Sequence, residues 1–118
     1  MEEGIKALAY LAGLKRRPTA IMCSNDMTAI GVMREAYERG ISIPQDLSVI
    51  GFDDIRLAQF IIPPLTTIQM SQTELARMAF KALLAEVEVE TQAETGSEYV
   101  LETDLVLRKS TAMASQKT

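Results

Sequence analysis

Two apolar runs constrain this chain more than anything else in it. "AIMC", Ala20 to Cys23, gives way at once to Ser24, Asn25 and Asp26, and "LSVIGF", Leu47 to Phe52, gives way to Asp53 and Asp54. Short apolar runs bounded by turn residues suit strands buried on both faces. The segment between them is patterned as a helix, and a helical crossover makes neighbouring strands parallel.

The rest of the chain extends the alternation. Ile5, Leu8, Leu11, Ala12 and Leu14 recur at helical spacing over residues 2 to 16, with Pro18 beyond as a stop. Lys15, Arg16 and Arg17 are then expected in a cationic last turn that complements the helix dipole. Asn25 or Asp26 caps a second helix that runs to about Arg39 and stops at Gly40. A short helical or irregular piece over 55–62 ends at Pro63-Pro64, and "LTTI" reads as a third strand. Ser71 with Glu74 has the capping-box spacing and opens a long helix to about Val89. "TQAETGSE" is a polar loop, and Tyr99 to Leu107 a final strand or pair of strands. The predicted fold class is α/β, a mostly parallel sheet flanked by helices.

In such a sheet, ligands collect outside the carboxyl ends of the strands. Asn25 and Asp53 each fall just past a strand, so two parallel neighbours would bring them to one rim. Successive residues of an extended chain point to opposite sides, so Asp53 and Asp54 are not expected to act as a carboxylate pair. An amide that donates and accepts, beside a carboxylate that only accepts, suits a hydroxyl-rich ligand such as a sugar. Two uses of Asn25 and Asp53 stay open on these grounds: capping the segments that follow, or holding a ligand.

Composition removes other classes. The 118 residues suffice for one domain with a real core, not for two ordinary ones. The net charge is -4, and the one basic cluster, Lys15-Arg16-Arg17, is too small to grip a phosphate backbone. The chain has no histidine, which removes the commonest general base and the usual metal ligand. Cys23 falls inside a strand with no activating partner, so we expect no enzyme, no catalytic residues, no metal and no cofactor. Asp53 and Asp54 as a magnesium-dependent phosphoacceptor site are a distant alternative, for which Asn25-Asp26 and Lys109 are weak stand-ins. A single cysteine cannot form an internal disulfide and fits a reducing compartment, so the cytoplasm is expected. The acidic start, Met1-Glu2-Glu3, has no signal-peptide pattern, and no apolar run approaches the ~18 residues of a membrane span.

The stretches "RPTAIMCSNDMTAIGVMREAYERGISIPQDLSVIGFDDI", "PPLTTI" and "LVLRKST", in that order, resemble the lac-repressor/gal-repressor family of transcriptional regulators. The similarity runs from Pro18 to Thr111 and lies in the carboxyl-terminal part of the family's effector-binding core. It implies the carboxyl-terminal lobe of a periplasmic-binding-protein-like fold, with residues 1–111 as an effector-binding and dimerisation lobe and 112–118 as a disordered tail. The helix-turn-helix headpiece and most of the first lobe are expected outside this chain, and DNA is then contacted only through that headpiece. The resemblance implies that Asn25 and Asp53 contact a small sugar-like effector and that Asp54 is structural.

It also implies a homodimer. On the helix from Met27 to Arg39 the apolar residues span a wider arc than one core needs, with Ile30 and Tyr37 flanking the core face. The family dimerises through this helix and the segment before the paired prolines, where Ile30, Ile61 and Ile62 match. The helix over 72–89 is apolar nearly all round and by resemblance packs on the first lobe. A freestanding periplasmic-type sugar receptor, with the same fold and cleft, is the competing class.

Overall fold

The computed structural model describes residues 1–88 and 98–114, which fall into two compact units, Met1–Gln69 with Leu105–Thr118, and Met70–Asp104. The polar loop expected from Thr91 lies almost wholly outside the described residues. The elements follow the expected alternation: α1 (Glu2–Ala12), β1 (Ala20–Met22), α2 (Asp26–Glu38), β2 (Ser48–Phe52), a 3-10 turn (Arg56–Gln59), β3 (Thr66–Met70), α3 (Gln72–Glu88) and β4 (Thr103–Val106). The sheet order is β1-β2-β3-β4. β1 and β2 are parallel, with Ala20 opposite Ser48, and β2 and β3 are parallel, with Gly51 opposite Thr67.

One face of this sheet is the core. Ile21 and Val49, partners in register, meet Leu8 of α1 and Ala29, Val32, Met33 and Ala36 of α2. That stripe on α2 follows helical spacing, which is why the segment is a helix with a buried side. Gly40, at φ 67°, closes it: the Gly40 N–H donates to the Tyr37 carbonyl, and the Ile41 N–H reaches back to Ala36 at 2.8 Å. This pattern of a left-handed glycine and a six-residue return satisfies carbonyls that the helix end would otherwise orphan.

α1 stops four residues earlier than its spacing predicts. Gly13, a poor helix former, is its C-cap, and Arg17 precedes a proline, which disfavours helical backbone. Lys15, Arg16 and Arg17 therefore follow the helix instead of completing its last turn, and the dipole role expected of them is corrected. Burial on both faces holds for most of β2 but not for β1, whose Met22 is 80% exposed. β1 is the edge of the order β1-β2-β3-β4, so no strand covers its outer side.

In the second unit, the Glu74 N–H donates to the Ser71 hydroxyl at 3.2 Å, half of the expected capping box. The Glu74 side chain pairs forward with Arg77 instead of returning to the cap, so the reciprocal half is not made. Leu75, Met78 and Ala79 of α3 line a cavity with Tyr99 and Leu101, while Phe80, Leu83 and Val87 are exposed.

The last described segment stitches the first unit together. The Ser110 hydroxyl donates to the Val49 carbonyl at 2.6 Å and accepts from the Thr66 N–H at 2.8 Å. Its carbonyl accepts from the Val49 N–H at 2.8 Å. Ala112, at the start of the expected tail, exchanges two hydrogen bonds with the Ser48 hydroxyl, and residues 115–118 lie outside the described residues.

Candidate functional site

The carboxyl ends of β1 and β2 form one rim because the strands are parallel neighbours. The offset between partners is 28 residues, Ala20 to Ser48, and the same offset separates Asn25 from Asp53. The two residues thus emerge at the same end of the sheet, and both are half-buried.

Asn25 has extended backbone, φ -158° and ψ 167°, and is the N-cap of α2. Its Oδ1 accepts from the Thr28 N–H at 2.8 Å. Capping occupies the carbonyl end of the amide only, so the two Nδ2 hydrogens are left as donors.

Asp53 and Asp54 depart from the extended chain that strand geometry predicts. Their φ angles are 108° and 49°. The second lies near the left-handed helical region that aspartate tolerates, and the first does not. Backbone held in so sparse a region costs about 1–3 kcal/mol and persists only where surrounding bonds impose it. Here the Asp53 N–H donates to the Ile68 carbonyl at 2.9 Å, the Asp54 N–H to the Thr67 hydroxyl at 3.4 Å, and the Ile55 N–H to the Asp26 Oδ2 at 2.8 Å.

The two acids do part company, though through this elbow and not through strand alternation. Asp54 accepts from the Arg108 guanidinium at 2.6 Å, with side chains 13% and 18% exposed. Arg108 also donates to the Leu65 carbonyl at 2.9 Å, so the pair ties the elbow to the start of β3. Among the described residues, the Asp53 carboxylate has no hydrogen bond or ion pair. An acceptor-only group without an internal partner, on a strained backbone at the mouth of a sheet, is equipped to take donors from outside.

The residues singled out for self-association are scattered in burial. Ile62 is 94% exposed and shares a surface groove with Tyr37, Met33 and Pro63. Ile30 is half-buried, and Ile61 packs against the core, so it offers only part of its surface.

A family model described as a periplasmic binding protein-like domain matches residues 2–111. The chain belongs to that family. The transcriptional repressor CytR of Escherichia coli K12 is 40% identical over 110 residues, 93% of this chain and 32% of CytR. A crystal structure of a LacI-type transcription regulator from Bifidobacterium animalis superposes with TM-score 0.77 at 34% identity, over 93% of this chain and 39% of that one. A LacI family regulator from Enterococcus faecium, solved with bound ribose, superposes with TM-score 0.79 at 32% identity, over 97% of this chain and 41% of that one. The kinship with lac-repressor-type regulators implied by the motifs is therefore shown, and this chain spans about a third of CytR.

Within this periplasmic-binding-protein-like unit, sequence reasoning missed two polar residues and half-saw a third. Thr67 and Arg108 bracket the elbow from β3 and from the segment after β4. Asp26 enters the sequence reading only as a capping alternative and as a weak phosphoacceptor stand-in, yet it is fully buried. Its spacing was a usable signal: Asp26, Ala29, Met33 and Ala36 lie on one helical stripe, which places an acid on the buried side of α2. The acidic cluster of a phosphoacceptor site does not assemble. Asp54 is taken by Arg108 and Asp26 by Thr67 and Ile55, and no group of three or more potential metal ligands occurs among the described residues. Nor is any described helix long and apolar enough to cross a membrane.

Proposed function

We propose that this chain is the effector-sensing and dimerisation part of a DNA-binding transcriptional regulator, without enzymatic activity and working in the cytoplasm. The effector is a small sugar or sugar derivative bound in the cleft between two lobes, of which this chain supplies one wall. Asp53 accepts hydrogen bonds from its hydroxyls, and the free amide hydrogens of Asn25 donate to its oxygens. The observation that carries this is the pairing of donor and acceptor at one rim, with Asp53 held at φ 108° and its carboxylate without a partner among the described residues. The ribose-bound relative supports the ligand class.

Ile30, Ile61 and Ile62 form a homodimer contact, and the exposed apolar side chains of α3 pack on a first lobe outside this chain. Effector binding favours one lobe arrangement, and the dimer contact carries that bias to a headpiece that binds DNA. Titration of the full-length protein with a panel of monosaccharides tests the site. Hydrogen bonds to a charged acceptor contribute about 1.5–3 kcal/mol, so Asp53→Ala should weaken binding about tenfold to a hundredfold. Unchanged affinity in that variant removes Asp53 from the site.

A further inference from the structure

The Asp26 carboxylate is fully buried, and among the described residues it forms no salt bridge. An acidic group in such a place needs both oxygens used. Oδ2 accepts from the Ile55 N–H at 2.8 Å, and Oδ1 accepts from the Thr67 hydroxyl at 2.5 Å. The Thr67 oxygen accepts in turn from the Asp54 N–H at 3.4 Å. With the Asp53 N–H bound to the Ile68 carbonyl, three consecutive amides, 53 to 55, are drawn inward. Gly51 leaves the room this requires: a Cβ there would overlap the Asp26 carboxylate and press on Leu65.

We propose that Asp26, acting through Thr67, is the positioning residue of the rim. It holds the 53–55 elbow so that Asp53 and Asp54 keep the positive φ that presents the Asp53 carboxylate outward, an inference that rests on reading Asp53 as an effector contact. Asp26 itself does not touch the effector. Support of the α2 dipole would need only a carboxylate in the first turn. The bond to Ile55, and through Thr67 to Asp54, does something different: it ties the residue after the Asn25 cap to both amides beyond Asp53. Both halves of the rim therefore hang on one buried side chain.

Amide hydrogen exchange combined with sugar titration on the full-length protein tests this. Thr67→Val keeps the volume and deletes the hydroxyl, Thr67→Ser keeps the hydroxyl, and Asp26→Asn removes one acceptor. In Thr67→Val the amides of Asp54 and Ile55 should exchange about tenfold faster, while those of Val49 and Leu65 exchange as in the parent. Thr67→Ser should restore protection. Titrated with D-ribose, D-glucose and sucrose, Thr67→Val should bind whichever sugar the parent prefers about tenfold more weakly, and Thr67→Ser should bind it as the parent does. Asp26→Asn should reproduce the Thr67→Val exchange pattern; where it does not fold, the Thr67 pair decides the matter. Parent-like protection of Asp54 and Ile55 in Thr67→Val overturns the inference. So does an even loss of protection across the sheet, which marks general packing. Undiminished sugar binding by Asp53→Ala overturns the rim role of Asp53 alone, and the exchange data still judge Asp26.

Discussion

Removing the Asp54 carboxylate should cost far more than removing an ordinary surface acid. Arg108 Nη2 donates to Asp54 Oδ1 at 2.6 Å with both side chains under one fifth exposed, 18% and 13%. In Asp54→Ala the guanidinium stays enclosed, with the Leu65 carbonyl at 2.9 Å as its remaining acceptor. Breaking a buried pair from one side costs about 3–5 kcal/mol, against about 0.2–1 kcal/mol for an exposed one. The pair is enclosed but not sealed, so the expected loss is about 2–3 kcal/mol. With a urea slope of about 1–2 kcal/mol per molar, the unfolding midpoint should fall by roughly 1–3 M at fixed protein concentration. The double variant Asp54→Ala/Arg108→Leu removes the stranded charge and should recover at least half of that, giving a clear coupling in the thermodynamic cycle. A single-variant loss under about 1 kcal/mol with no coupling would show that the pair behaves as a surface contact and that the elbow does not depend on it.

Two further outcomes follow from burial. Burial and the nearby Asp26 charge push the Cys23 thiol from 9.0 up to about 11, so the folded chain keeps a proton that the unfolded chain loses. The stability this group contributes is complete below pH 9 and is lost as pH rises through about 11, at about 1.4 kcal/mol per pH unit. Urea midpoints should fall more steeply across that window in the parent than in Cys23→Ala, and parallel slopes would refute the assignment. Ile62→Asp places a charge at a side chain that is 94% exposed, so it should change the protomer's own stability by no more than about 0.5 kcal/mol while shifting sedimentation of the full-length protein towards monomer. An unshifted dimer removes Ile62 from the contact.

Local pattern carried the order of elements well. The helix period of α2, its stop at Gly40 and the alternation of strand and helix are properties of neighbouring residues, and they are legible in the sequence alone. So is the rim, since a shared register needs only two strands and a crossover. What escaped depended on residues far apart. Exposure of Ala20 and Met22 follows from β1 being the edge of the sheet, which its own composition does not encode. The partner of Asp54 lies 54 residues on, at Arg108, and the partners of Asp26 are 29 and 41 residues away. The backbone of Asp53 was misread as extended because three such distant acceptors, not its own preference, bend it.

The Ser110 stitch has a temporal side. Its hydroxyl joins Val49 and Thr66, 61 and 44 residues earlier, so a ribosome has released β1, β2 and β3 long before the residue that fastens them emerges. During that interval the Val49 carbonyl and the Thr66 amide wait for water or a chaperone, and closing so long a loop is slow compared with forming α1 or α2. A nascent chain stalled just short of Ser110 would carry its helices and its rim residues yet hold a sheet that any protease could still prise open.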